Sequence, residues 1–203
     1  MSTTTTVTGP PEGRAVFPPG RVPYRLSVER YEAMVQAGLL TKADRLELIE
    51  GVLVEKMTKG RRHSRASEHA RRAIERVLPQ GWHLEVEKPV RLPKRQSMPE
   101  PDLFVARGEI DDYPDVDPGP PDVALVVEVS DTTLAADRAL AATYLGGGIP
   151  EYWLVNLADR ALEVHRGSEP VQVLGETDSA DLVLDGQVVA PIAVAELLPR
   201  QPR

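Results

Sequence analysis

The run Asp-Val-Ala-Leu-Val-Val-Glu-Val-Ser at residues 122 to 130 constrains the fold most. It is an apolar stretch rich in valine, a residue that suits pleated, buried backbone, and it reads as a buried strand with Glu128 inside it. A second run, Pro-Glu-Pro-Asp-Leu-Phe-Val-Ala at residues 99 to 106, reads the same way and carries Asp102. A buried carboxylate is costly unless it is protonated, paired or bound to a cation. Two such acids on neighbouring strands suggest a divalent metal site. From spacing alone the alternative has equal weight: plain structural acids at strand ends, satisfied by backbone N–H groups.

The chain has 203 residues, enough for one domain with a real core. No stretch approaches a membrane span, and the Thr-rich N-terminus lacks the apolar core of a signal peptide. The chain has no cysteine, which excludes disulfides, thiolate metal sites and cysteine catalysis and fits a cytoplasmic location. The four histidines (His63, His69, His83 and His165) show no ligand spacing, so a zinc site is not expected. Net charge is −7, so any nucleic-acid surface has to be a local patch.

Residues 1 to 23 read as a flexible lead-in, and residues 24 to 200 as one domain. Ser27 is placed to cap a helix from Val28 to about Ala37, closed by Gly38. Strands are expected at 45 to 49 and 52 to 57, joined by a tight turn at Glu50-Gly51. Small and apolar residues at helical spacing predict a helix over 64 to 78, stopped by Pro79 and Gly81. One long or bent strand is expected over 82 to 92, kinked at Pro89. The Asp102 strand, an exposed acidic loop from 109 to 121 and the Glu128 strand follow. Thr132 or Thr133 is placed to cap a helix from Leu134 to Leu145, ended by three glycines. A hairpin (151 to 156 with 162 to 165), weaker strands near 171 to 174 and 182 to 184, and a short helix at 194 to 198 complete the chain. This order predicts an α/β (α+β) domain with a mixed sheet and helices on its faces.

Four segments taken together resemble one family. They are Leu-Glu-Leu-Ile-Glu-Gly-Val-Leu-Val-Glu-Lys-Met (46 to 57), the Asp102 run, Val-Val-Glu-Val-Ser-Asp-Thr-Thr-Leu-Ala (126 to 135) and Gly-Ile-Pro-Glu-Tyr-Trp-Leu-Val-Asn (148 to 156). Their order and spacing are similar to the Uma family of restriction-endonuclease-like proteins, within the PD-(D/E)xK nuclease superfamily. The resemblance implies a restriction-endonuclease-like core and a Mg²⁺- or Mn²⁺-dependent endonuclease acting on DNA. It makes Asp102 and Glu128 the catalytic, metal-binding acids, and adds Glu50 and Glu87 as further metal-site acids. It also implies a role for His63, ahead of the second helix. Mg²⁺ takes hard oxygen ligands and keeps several waters, so paired carboxylates suit it.

The sequence departs from the superfamily pattern at its lysine. Two residues after Glu128 stands Ser130. The Uma family places the lysine on the next helix, between an acid and a tyrosine. Here that slot falls on Leu140 or Ala141, between Asp137 and Tyr144. All five lysines precede Asp102. Arg138 or Lys88 is therefore expected to serve as the catalytic cation. A guanidinium stays protonated and cannot act as a base. The alternative is an inactive relative that binds nucleic acid or a partner protein. A hydrolase using the carboxylates as an acid/base pair ranks last, because two Trp and two Phe are few for a sugar-sized aromatic cleft.

Residues 59 to 76 hold seven basic residues against two acidic ones. Arg61, Arg62, His63, Arg65, Arg72 and Arg76 are the candidate nucleic-acid contacts; a solvated helix face is the commoner explanation for such a run. A homodimer is the analogy from nucleases that cut both strands of a duplex.

Overall fold

A computed structural model describes residues 20 to 200. Most of the expected flexible lead-in lies outside the described residues. Helix α1 (Val28–Gln36) starts where expected, with the Ser27 side chain accepting from the Arg30 amide at 3.3 Å. Strands β1 (Leu46–Ile49) and β2 (Val52–Glu55) form an antiparallel hairpin. Its turn uses Glu50 and Gly51, both at positive φ, and Gly51 is obligatory because a Cβ there would meet Arg25 Cβ at 2.6 Å.

Helix α2 (Arg61–Glu75) buries Ala66, Ala70, Ala73 and Ile74, a stripe at helical spacing. Strands β3 (Trp82–Val86), β4 (Leu103–Arg107), β5 (Val123–Ser130), β6 (Glu151–Asn156), β7 (Ala161–Arg166) and β8 (Gln172–Gly175) form one six-stranded sheet in chain order. Its pairs are antiparallel except β5 with β6, which are parallel because helix α3 (Leu134–Gly147) carries the chain back between them. Helix α3 occupies the capping position with Thr133, but that hydroxyl donates to Asp137 at 2.6 Å instead of capping an amide. The first two glycines of the expected stop lie inside the helix, and Gly148, at φ 109°, ends it.

The sheet is covered on both faces. Ala66, Ala70, Ala73 and Ile74 of α2 pack against Leu103, Val105, Leu125, Val127 and Trp153. The same layer takes in a second hairpin, β9 (Ser179–Leu184) with β10 (Gln187–Ala193), and the short helix α4 (Val194–Leu197). On the opposite face Ala141 and Tyr144 of α3 meet Phe104, Val126, Tyr152 and Leu154. The fold is thus a mixed α/β sheet flanked by helices, as the sequence predicts. Helix α2 begins and ends three residues earlier than the expected 64 to 78, and the sequence reading differs in two larger places. Residues 88 to 92 are irregular, tied by Val90, Arg91 and Leu92 amides to the carbonyls of Pro99, Pro118 and Ser97; Pro89 and Pro93 lack the donors that would extend β3. Strand β10 is additional, and its pairing with β9 shifts register between Val188 and Ala190.

Candidate active site

Antiparallel pairing sets Leu103 opposite Val127 and Phe104 opposite Val126. One step further along both strands come Asp102 and Glu128. Side chains alternate across a strand, so both acids belong to the face that carries Phe104 and Val126, the α3 face. The Asp102 amide donates to Glu128 Oε2 at 3.2 Å, and the Val129 amide donates to Asp102 Oδ2 at 2.8 Å. Each acid is therefore tied to the other's strand.

Asp102 is 2% exposed. Its Oδ2 also lies 3.0 Å from His63 Nε2, in the first turn of α2 rather than ahead of the helix as expected. Its Oδ1 lies 2.6 Å from Lys59 Nζ, a close ion pair. Burial opposes ionisation of Asp102, but His63 and Lys59 outweigh it and hold the carboxyl below its usual range. Glu128 behaves oppositely. Burial, reinforced by the adjacent Asp102 charge, pushes its carboxyl well above the usual range. The Tyr144 hydroxyl donates to Glu128 Oε1 at 3.2 Å. Two neighbouring carboxylates thus prefer different protonation states, as expected of like charges sharing a site.

The other expected site residues lie as follows. Glu87 is at the rim, accepting from Lys59 Nζ at 2.7 Å. Glu50 sits at the β1–β2 turn, held by Arg95 Nε and Thr143 Oγ1, each at 2.8 Å. Asp102, Glu128, Glu50 and Glu87 are not gathered into one cage; no group of three metal-ligating side chains occurs among the described residues. Arg138 forms a fork on Glu163 of β7, at 2.9 and 2.6 Å, and no ion pair joins it to Asp102 or Glu128. Lys88 is exposed and forms no ion pair with Asp102 or Glu128; its charge acts on Asp117.

Three residues at the site lie beyond the sequence reading, which gives Lys59 only as part of the basic stretch and Tyr144 only as a marker along α3. Glu47 of β1 is the third: its carboxyl is raised by burial, accepts from the Glu100 amide at 3.1 Å, and feels the Lys59 charge. Glu47 also influences the Tyr144 hydroxyl. Glu47 lies inside the strand, whereas Glu50 lies in the turn, and that positional difference was the available signal.

On α2, Arg62 is anchored to Asp131 at 3.1 Å and to the Leu157 carbonyl at 2.6 Å. Arg72 pairs with Glu68 and Arg76 with Glu196, both at 2.6 Å. Arg61 and Arg65 are exposed and have no ion pair among the described residues. Gly60, the N-cap, supplies no side chain to the first amides of the helix.

The donor set fits a hard cation. Mg²⁺ commonly takes one or two protein carboxylates and completes its shell with water and substrate phosphate. Asp102 Oδ1 is buried beside the Lys59 ammonium, and Ser130 Oγ, two residues beyond Glu128 on the same strand face, is buried without a hydrogen-bond partner. Such groups call for an ion, a water or a cationic side chain.

A family model described as "Putative restriction endonuclease", Uma2, matches residues 28 to 195. A crystal structure of a "putative nuclease belonging to DUF820" from Anabaena variabilis superimposes with a TM-score of 0.61 at 16% identity. The match covers 80% of this chain and 94% of that one. No curated protein matches the chain. With the family match spanning most of the sequence, and covering both acids and the sheet that pairs them, the chain belongs to the Uma2 family of restriction-endonuclease-like proteins.

Proposed function

We propose that this protein is a Mg²⁺- or Mn²⁺-dependent endonuclease that hydrolyses DNA phosphodiesters, acting in the cytoplasm and as a homodimer when it cuts both strands of a duplex. The observation that carries the reading is the convergence of Asp102 and Glu128 from adjacent strands, with a buried Asp102 oxygen met only by an ammonium. Asp102 and Glu128 would hold the ion; Glu47 adds negative charge on the flank, and Glu87 and Glu50 lie further out. When bound, the ion polarises the phosphoryl group and lowers the pKa of a coordinated water. The protein's own groups do the rest. The Val129 amide and His63 fix the Asp102 carboxylate, and the Tyr144 hydroxyl fixes Glu128. Arg61 and Arg65, with the amides at the start of α2, meet the phosphate backbone beside the site.

A second reading, a nuclease fold that binds without cutting, is favoured by Leu140 and Ala141, which leave α3 without a lysine. One experiment separates the two. Mg²⁺ or Mn²⁺ should raise the melting temperature in proportion to the logarithm of its concentration, because only the folded chain presents the site. Asp102→Asn should abolish that shift and also abolish nicking of supercoiled plasmid. A shift without nicking supports the binding module. An equal shift in the variant would move the metal elsewhere and overturn both the site and the function.

A further inference from the structure

We infer that Lys59, reaching in from the segment just before α2, is the catalytic cation of this site. It would do the work that neither Leu140 nor Ala141 can do on α3. The inference rests on the reading of Asp102 and Glu128 as a phosphodiester-cleaving centre.

The geometry singles out one lysine. Lys59 Nζ is 2.6 Å from Asp102 Oδ1 and 2.7 Å from Glu87 Oε1. Lys56 pairs with Glu100 instead, and Lys42, Lys88 and Lys94 make no ion pair among the described residues. Arg138 is occupied by Glu163. The Lys59 ammonium bridges a carboxylate that is 2% exposed and one that is 59% exposed, so it stands at the mouth of the site. It holds the two carboxylates at near-equal distance, one inside the site and one at its rim.

The segment around Lys59 is loosely held. Residues 56 to 60 are in neither helix nor strand; Arg45 ties the backbone at Lys56 and Met57, and beyond its own neighbours no atom lies within 4 Å of where a Gly60 Cβ would stand. The ammonium can leave Asp102 when a divalent ion arrives and stay tethered by Glu87, where it faces an incoming phosphate. In the reaction a water oxygen bonds to phosphorus, and the P–O bond to the leaving sugar oxygen breaks. The water gives up one proton to solvent and the leaving oxygen takes one from solvent. Lys59 stays protonated throughout and stabilises the charge that grows on the phosphoryl oxygens. A mobile ammonium is suited to this task, because it is a compact point charge on a long stem.

Two consequences follow for Lys59→Ala and for Lys59→Met, which keeps an apolar stem. Cleavage of supercoiled plasmid should fall about a hundredfold or more, the usual loss for such a stabiliser. Titration with MnCl₂ alone, followed by calorimetry, should show tighter binding than wild type, because the ion no longer displaces an ammonium from Asp102. Lys59→Arg should recover part of the cleavage. Melting curves of each variant confirm that it is folded. Wild-type cleavage by the Ala and Met variants, or Mn²⁺ affinity that is unchanged or weaker in both, overturns the inference while leaving the function intact. Wild-type protein that binds Mn²⁺ and cuts nothing overturns the function, and the catalytic role of Lys59 with it.

Discussion

Arg138 is the residue on which sequence and geometry disagree most, and replacing it with alanine gives a quantitative test. Glu163 is 3% exposed on β7 and accepts three donors: Arg138 Nε at 2.9 Å, Arg138 Nη2 at 2.6 Å and Asn156 Nδ2 at 3.1 Å. Arg138 hydrogen bonding, helped by Asn156, holds the Glu163 carboxyl below its usual range despite burial. Arg138→Ala removes two of the three donors and leaves a buried carboxylate with Asn156. Stranding one partner of a fully buried pair costs about 3–5 kcal/mol. The Arg138 side chain is 49% exposed, so solvent screens the pair and water can replace part of the fork. A loss well below that limit is therefore expected, read as a fall of a few degrees in melting temperature. The pH dependence has a definite sign. A depressed carboxyl pKa contributes stability that is present above the unfolded value, 4.5, and lost as pH falls through the folded value. The wild-type advantage should be full at pH 6 and shrink below pH of about 4.5. Glu163→Gln in the same background should close most of the gap, measured as a double-mutant cycle by urea unfolding. Plasmid nicking at 25 °C should survive Arg138→Ala. A variant as stable as wild type but devoid of nicking would refute this structural account and return Arg138 to the catalytic role.

Two further outcomes are expected. Glu128→Gln should raise the metal-free melting temperature at neutral pH by a few degrees. A raised carboxyl pKa gives stability that is full below 4.5 and lost as pH rises through the folded value, so the variant should flatten the stability profile above pH 4.5. Asp102, held below 3.8, does not titrate in that window; a variant profile as steep as wild type would refute the assignment. Arg61→Ala and Arg65→Ala should each weaken duplex-DNA binding and reduce the slope of log affinity against log salt by about 1. Arg72→Ala, already paired with Glu68, should change it less; equal effects by fluorescence anisotropy would mark α2 as a diffuse charge rather than a contact surface.

Local pattern determined much of this protein. The valine-rich run around Glu128 admits only a buried strand, the alanine stripe of α2 gives that helix its inner face, and Glu50-Gly51 imposes the turn between β1 and β2. Asp185-Gly186 carries the same turn signal, with both residues at positive φ, although Pro191 weakens the strand pattern of the run that follows it. The apolar runs themselves pick out Asp102 and Glu128, and the resemblance to a nuclease family adds the family and the roles it implies for them. Which other side chains share their space was decided only by tertiary structure. Lys59 precedes Asp102 by 43 positions and Glu47 by 55, and no local period links them. Helix α2 must dock its alanine face on the sheet before its N-terminal end brings Lys59 and His63 to Asp102. Arg138 went to Glu163 because β7 stands beside β6, setting Glu163 opposite Leu154 and Leu154 opposite Glu128. Partners of a buried charge are chosen by strand order and helix docking, and those are properties of the packed sheet rather than of any stretch of sequence.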